Sequence, residues 1–209
     1  MLFLHKDIST VHFMTVATPK TKRNLIEVAR QLFAKKGVES TTMNEIAEAS
    51  GYGRRTLYTY FKNKKDVYRA VIGSELQKLY TSLEDVIKRD LPADDKLMMF
   101  TFSRLNIIKD VVTRNGTLRA DFFRDIWLVE NVRKEFDIKE IHYLETILAD
   151  GCDSGIFAVN DIPRTAVILH YALKGLEVPV IRGVLNLRLD RQEDREIVYN
   201  LVFKGLNRR

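Results

Sequence analysis

Arg54, Arg55, Tyr58 and Tyr60 crowd into one short stretch, and their chemistry is that of nucleic-acid contact. A guanidinium bonds a guanine edge through two donors or clamps a phosphate, and a phenol hydroxyl bonds a phosphate oxygen. To act together these groups need the outer face of one rigid element. Leu57 and Phe61, four residues apart, supply the inner face, so the spacing predicts a short helix from about Arg54 to Phe61. An exposed basic and aromatic face on such a helix suits the major groove.

The residues just before it predict a partner helix. Thr42 is the N-cap, and Glu45, three positions on, completes a capping box. Ile46, Ala47 and Ala49 make one face apolar. Gly51 ends the helix, because glycine adopts the left-handed conformation that a helix C-terminus uses. Tyr52 and Gly53 leave room for a tight turn. Residues 41–65 therefore read as a helix-turn-helix.

With these pieces in place, residues 22–69 resemble the DNA-binding domain of the TetR family of transcriptional regulators. The resemblance is carried by AxxLFxxxG in Ala29–Gly37, by TTMNEIAEASG, and by TLYTYFKNKKDV in Thr56–Val67. It covers roughly a quarter of the chain; beyond it, ILADGCDSGIF (Ile147–Phe157) is similar to the family's glycine-flanked turn before its last two helices. The resemblance implies an all-α fold, with an N-terminal three-helix helix-turn-helix domain and a C-terminal helical domain for effector binding and dimerisation. At the matched motif positions it implies that Arg54, Arg55 and Thr56 contact bases or nearby phosphates. It also implies that Thr42, Tyr58, Tyr60 and Lys64 fix the DNA backbone. Two positions depart from the family. Arg55 stands where a small residue or glycine is common, which adds charge near the DNA. Gly53 stands where Ser or Thr is common, which removes a hydroxyl.

Charge placement agrees with this reading. Residues 20–69 hold 12 Lys and Arg against 5 Asp and Glu, a net +7, whereas the whole chain is +6, so the other 159 residues net −1. The basicity thus falls on the candidate DNA-binding segment, as an electrostatic footprint does. A solvated lysine-rich face is the plainer explanation of such a charge, but here the charge coincides with the motif.

Several function classes are disfavoured. Cys152 is the single cysteine, which excludes an intramolecular disulfide and fits a reducing cytoplasm; it reads as a small buried hydrophobe in preference to a redox sensor. No apolar run reaches the roughly 18–20 residues a membrane span needs. Residues 1–18 lack a leading basic region and read as an N-terminal tail, with Met14 a candidate alternative start. The chain has no nucleophile elbow, P-loop, zinc-protease or dinucleotide signature, so no enzyme and no cofactor is expected. His142 and His170 have no metal-ligand spacing and read as core or surface residues.

The positioning elements read as helices almost throughout. The first spans about Lys20–Lys36, with Leu25, Ala29, Leu32 and Phe33 as its core stripe, and Gly37 ends it. Asn63 caps a helix over Lys64–Arg89, stopped by Pro92. Further helices are expected over Ala93–Arg114, Thr117–Phe136, Ile138–Asp150, Pro163–Leu187 and Arg191–Leu206, with Pro179 kinking or shortening the longer of the last two. The domain limits expected are 19–66 for DNA binding and 67–209 for the helical domain.

Two jobs are expected of that second domain. The helix from Pro163 is apolar on more than one face, and the last helix offers Ile197, Val198, Leu201, Val202 and Leu206. A homodimer built on the last two helices of each copy is the favoured reading, against burial wholly within one subunit. Residues Leu97–Phe136 are rich in Phe, Met and Trp, which could line an apolar effector pocket, although core packing is the plainer reading for each. Arg104, Arg119 and Arg124 are candidates for an acidic ligand, with solvated faces preferred. The resulting expectation is a repressor released from a palindromic double-stranded DNA operator by a small-molecule effector whose identity and binding residues are unknown. The alternative is a DNA-binding regulator controlled by a protein partner.

Overall fold

The computed structural model describes residues 19–114, 126–188, 190–200, 204 and 206. The expected N-terminal tail, the helix start at Thr117 with Arg119, Phe122, Phe123 and Arg124, and Leu201 and Val202 lie outside the described residues, as does the Trp127 side chain. The rest is all-α. Among the described residues the helices are α1 (Lys20–Lys36), α2 (Met43–Ala49), α3 (Arg54–Tyr60), α4 (Lys64–Ile87), α5 (Ala93–Arg114), α6 (Ile126–Asp153), α7 (Ile162–Ile181) and α8 (Gln192–Val198).

Two apolar clusters organise the chain, and α4 belongs to both. In the N-terminal cluster Leu25, Ala29 and Phe33 of α1 meet Ile46 and Ala47 of α2, Leu57 of α3 and Val67, Tyr68, Val71 and Ile72 of α4. One to two turns further along, Leu79, Leu83 and Val86 of the same helix enter the C-terminal cluster, with Leu97, Phe100, Leu144, Leu148 and Leu173. A rigid helix shared between two cores transmits displacement of one to the other. Val132 of α6 packs against the N-terminal cluster, and its Cγ1 would lie 3.9 Å from a Cβ on Gly73 of α4, so α6 touches α4 at the edge of that cluster.

α6 corrects the expected break between Phe136 and Ile138. The helix is continuous from Ile126 to Asp153. Asp137 lies within it, and its carboxylate reaches across to α7, where Lys174 Nζ donates to Oδ2 at 3.1 Å. The ring of Phe136 stacks on Tyr80 of α4 with centroids 4.4 Å apart.

α7 starts where expected. Asp161 caps it by accepting from the Arg164 N–H at 3.0 Å, with Pro163 in the first turn. It ends at Ile181, well short of Leu187: Pro179 offers no N–H to continue the ladder, and Gly183 at φ 73° turns the chain away. α8 is an α-helix to Val198, and the Lys204 N–H bonds the Tyr199 carbonyl five residues back; part of the expected stretch from there to Leu206 lies outside the described residues.

Arg104 corrects the preferred reading of a solvated face. It has no solvent exposure. From α5 it donates through Nε to Glu140 of α6 and through Nη2 to Glu177 Oε1 of α7 at 2.6 Å. Arg133 of α6 donates to both Glu177 oxygens, at 2.8 and 2.7 Å. His170, also fully buried, places Nδ1 3.2 Å from Glu140 Oε1. His142 is exposed. Met98, Phe100 and Phe102 are buried in the core, so packing accounts for the described part of the aromatic-rich segment.

Candidate nucleic-acid interface

The turn that presents α3 is built from backbone hydrogen bonds. After α2, Gly51 takes φ 73°; its N–H bonds the Glu48 carbonyl at 3.1 Å, and the Tyr52 N–H bonds that of Ala47 at 3.2 Å. This pair of bonds is a Schellman termination, and only glycine adopts its φ without strain. Gly53 then begins α3 with no side-chain cap, as expected from a residue without a hydroxyl. Leu57 is fully buried and Phe61 nearly so, which locks the inner face of α3 into the N-terminal core.

The outer face of α3 is left with Arg54, Arg55 and Tyr58 exposed and Thr56 half-buried. Tyr58 is 46% exposed. Neither arginine pairs with a carboxylate among the described residues, so both guanidiniums keep all their donors for a partner outside the fold. Tyr60 is placed differently from the outward position expected of it. It is half-buried against the N-terminal core, its ring 6.5 Å from that of Phe61. Lys62 and Lys65 are exposed beside α3 and add charge that the motif alone had not singled out.

Thr42 and Lys64 flank this face, and both are engaged internally. Thr42 Oγ1 accepts from the Glu45 N–H at 3.2 Å and donates to Glu45 Oε2 at 2.9 Å, while the Thr42 N–H donates to the same carboxylate at 2.8 Å. The capping box is thus complete. It has a third member invisible to local spacing: Lys36, at the end of α1, donates to Glu45 Oε1. That bond, together with those from Thr42, pulls the Glu45 carboxyl down from 4.5 to about 2. Lys64 Nζ donates to the Glu39 carbonyl at 3.0 Å, bridging the start of α4 to the loop before α2. Asn63 caps α4 by accepting from the Asp66 N–H at 3.0 Å.

The head therefore presents a short helix with two uncompensated guanidiniums and an exposed phenol, framed by ammonium groups. That arrangement bonds phosphates and base edges, and it holds no nucleophile with an adjacent base. No group of His, Cys, Asp and Glu among the described residues is arranged to hold a metal ion.

Comparison with known proteins locates the same segment. Residues 25–71 match the profile of bacterial regulatory proteins of the tetR family. The chain is 31% identical over 186 residues to the HTH-type transcriptional regulator SAS2464 of Staphylococcus aureus strain MSSA476, covering 83% of this chain and 95% of that one. Its fold is similar to that of a transcriptional regulator from Cytophaga hutchinsonii, with a TM-score of 0.69 at 22% identity, covering 89% and 98% of the two chains. It is also similar to the flavonoid-responsive regulator FrrA, with a TM-score of 0.62 at 21% identity over 90% and 98%.

Proposed function

This chain belongs to the TetR family of bacterial transcriptional regulators, and we propose that it acts as a homodimeric repressor that leaves a palindromic operator when a small-molecule effector binds its helical body. The observation that carries the reading is the pair of unpaired guanidiniums, Arg54 and Arg55, at the start of a helix whose opposite face is locked into the core. In this reading Arg54, Arg55 and Thr56 meet base edges or nearby phosphates, and Thr42, Tyr58, Tyr60 and Lys64 hold the backbone. Thr42 must exchange an internal partner to do so, because its one hydroxyl donor is given to Glu45, whereas Lys64 keeps donors beyond the one given to the Glu39 carbonyl.

Dimerisation is supported by α7. One face carries Ala166, Leu173 and Val180 into the core, while Ile168 is 61% and Tyr171 59% exposed, with Val167 and Val178 beside them and Ile197 of α8 also exposed. Apolar surface of this extent on adjacent helices marks an interaction site, and a second copy of α7 and α8 covers it in a four-helix contact. Two reading heads then face successive turns of the duplex, about 34 Å apart or somewhat more.

Release requires an effector that binds the two states with different affinity. The similar regulator FrrA is described as flavonoid-responsive, which supports a small-molecule signal here. Displacement of α6 would reach the head through Val132 and through the Phe136–Tyr80 stack onto α4. No described helix is long and apolar enough to cross a membrane, and the site of action proposed is cytoplasmic DNA.

Selection of genomic fragments by the purified protein at two salt concentrations tests the proposal. A motif with two inverted half-sites is expected, together with derepression of a reporter placed behind it when the gene for this protein is deleted. Salt-sensitive binding without a motif, or loss of reporter expression on deletion, overturns the operator or the repressor assignment respectively.

A further inference from the structure

Not all cations of the head are equally free. Arg54 and Arg55 have no carboxylate partner among the described residues, whereas Lys64 is held. Its Nζ donates to the Glu39 carbonyl at 3.0 Å and lies 3.9 Å from Glu39 Oε2. Glu39 belongs to the loop between α1 and α2, three residues before the Thr42 cap, and its side chain is 78% exposed.

We infer that Glu39 sets the affinity of the head for DNA, its carboxylate competing with a backbone phosphate for Lys64. The inference rests on the reading of Lys64 as a phosphate contact and adds a residue to it. An ammonium has three donors and no acceptor. The donor given to a neutral carbonyl leaves two for a phosphate, so the carbonyl alone does not oppose DNA. The carboxylate does: it partly neutralises the ammonium, and it presents a like charge to any phosphate that approaches. An exposed pair at this distance is weak and screened by salt, which sets the scale of the effect at a few-fold.

The second head lysine held by an acid has a different character. Lys36 is bound to Glu45, whose carboxylate also closes the capping box of α2, so changing that acid alters the cap of α2 as well as the lysine. The acceptor that positions Lys64 is the main-chain carbonyl of Glu39, which a side-chain substitution leaves in place. Glu39→Gln therefore removes the charge beside Lys64 and keeps the main-chain bond to it.

A double-mutant cycle on the full chain tests this with a fixed random-sequence duplex, because phosphate contact requires no operator. Glu39→Gln is expected to tighten binding about 1.5- to fivefold at low salt, with the gain shrinking as salt rises. Glu39→Asp, which keeps the charge, is expected to lie nearer the parent. In a Lys64→Ala background the gain from Glu39→Gln should vanish. An equal gain in both backgrounds overturns the inference, since Glu39 would then act on DNA without Lys64, as does no gain in the parent. If Lys64→Ala by itself leaves affinity and salt slope unchanged, the reading of Lys64 as a phosphate contact fails first, and the two failures are distinguished. Matching thermal unfolding of all five proteins shows that the head is intact.

Discussion

Arg104 of α5 and Glu177 of α7 meet at 2.6 Å with the arginine wholly shielded from solvent. Burial alone pushes the Glu177 carboxyl up, but the guanidiniums of Arg133 and Arg104 outweigh it and hold it below its usual range. Glu140 follows the same pattern: burial raises it, and His170 and Arg104 more than compensate. Removing one member of such a cluster strands the others. Arg104→Ala is expected to destabilise the fold by about 3–5 kcal/mol, read by urea unfolding. A loss under about 1 kcal/mol means that the carboxylates find water instead.

The same depressed carboxyls give a pH dependence of known sign. A carboxyl whose folded pKa lies below its unfolded value contributes stability that is present above the unfolded value and lost as pH falls through the folded one. Glu45, at about 2 against 4.5, places one such window between those limits. Glu140 and Glu177 act in the same direction. Thermal midpoints are expected to fall as pH drops below about 4.5. Glu45→Gln is expected to start lower at neutral pH and to lose less on acidification. A variant that loses as much on acidification as its parent shows that Glu45 is not responsible.

Gly151 lies near the end of α6 with the Phe157 ring folded over it. A Cβ there would stand 2.0 Å from Phe157 Cδ2, and Phe157 is itself buried. Gly151→Ala is expected to cost about 1–3 kcal/mol or more, since the ring must leave the core. Gly155, at φ 74° with nothing within 4 Å of its Cβ position, pays only for its backbone, so Gly155→Asn is expected to be milder. Paired thermal melts rank the two.

The exposed face of α7 supplies an assembly test. Ile168→Glu places a charge in the centre of the proposed dimer contact, and sedimentation should show a monomer with an unchanged helical spectrum. Operator affinity should fall steeply, because each half-site is then bound independently. A variant that stays dimeric moves the interface elsewhere.

Substitution of Arg54 tests whether its guanidinium reads a base or holds a phosphate. Loss of a bidentate base contact costs about 1–3 kcal/mol of discrimination and relaxes preference at one position. Arg54→Ala is expected to behave in that way in competition binding across operator variants. Uniform weakening across all sequences assigns it to phosphate.

The head was legible in the sequence because its structure is local. Thr42 with Glu45, Gly51, Leu57 with Phe61, and Asn63 each act within four residues, so caps, turn and inner face follow from spacing and from the conformations those residue types allow. Periodicity likewise predicted the helices and the doubly apolar character of α7. What spacing left open was decided by contacts between distant residues. Lys36 on Glu45 and Lys64 on Glu39 are separated by 9 and 25 positions, and Arg104 on Glu177 by 73. An arginine reads as solvated until two carboxylates from other helices close around it, as Glu140 and Glu177 do around Arg104. Local backbone preference wrote the reading head; the pairing of buried charge, which only three-dimensional proximity makes affordable, fixed which polar side chains turn inward.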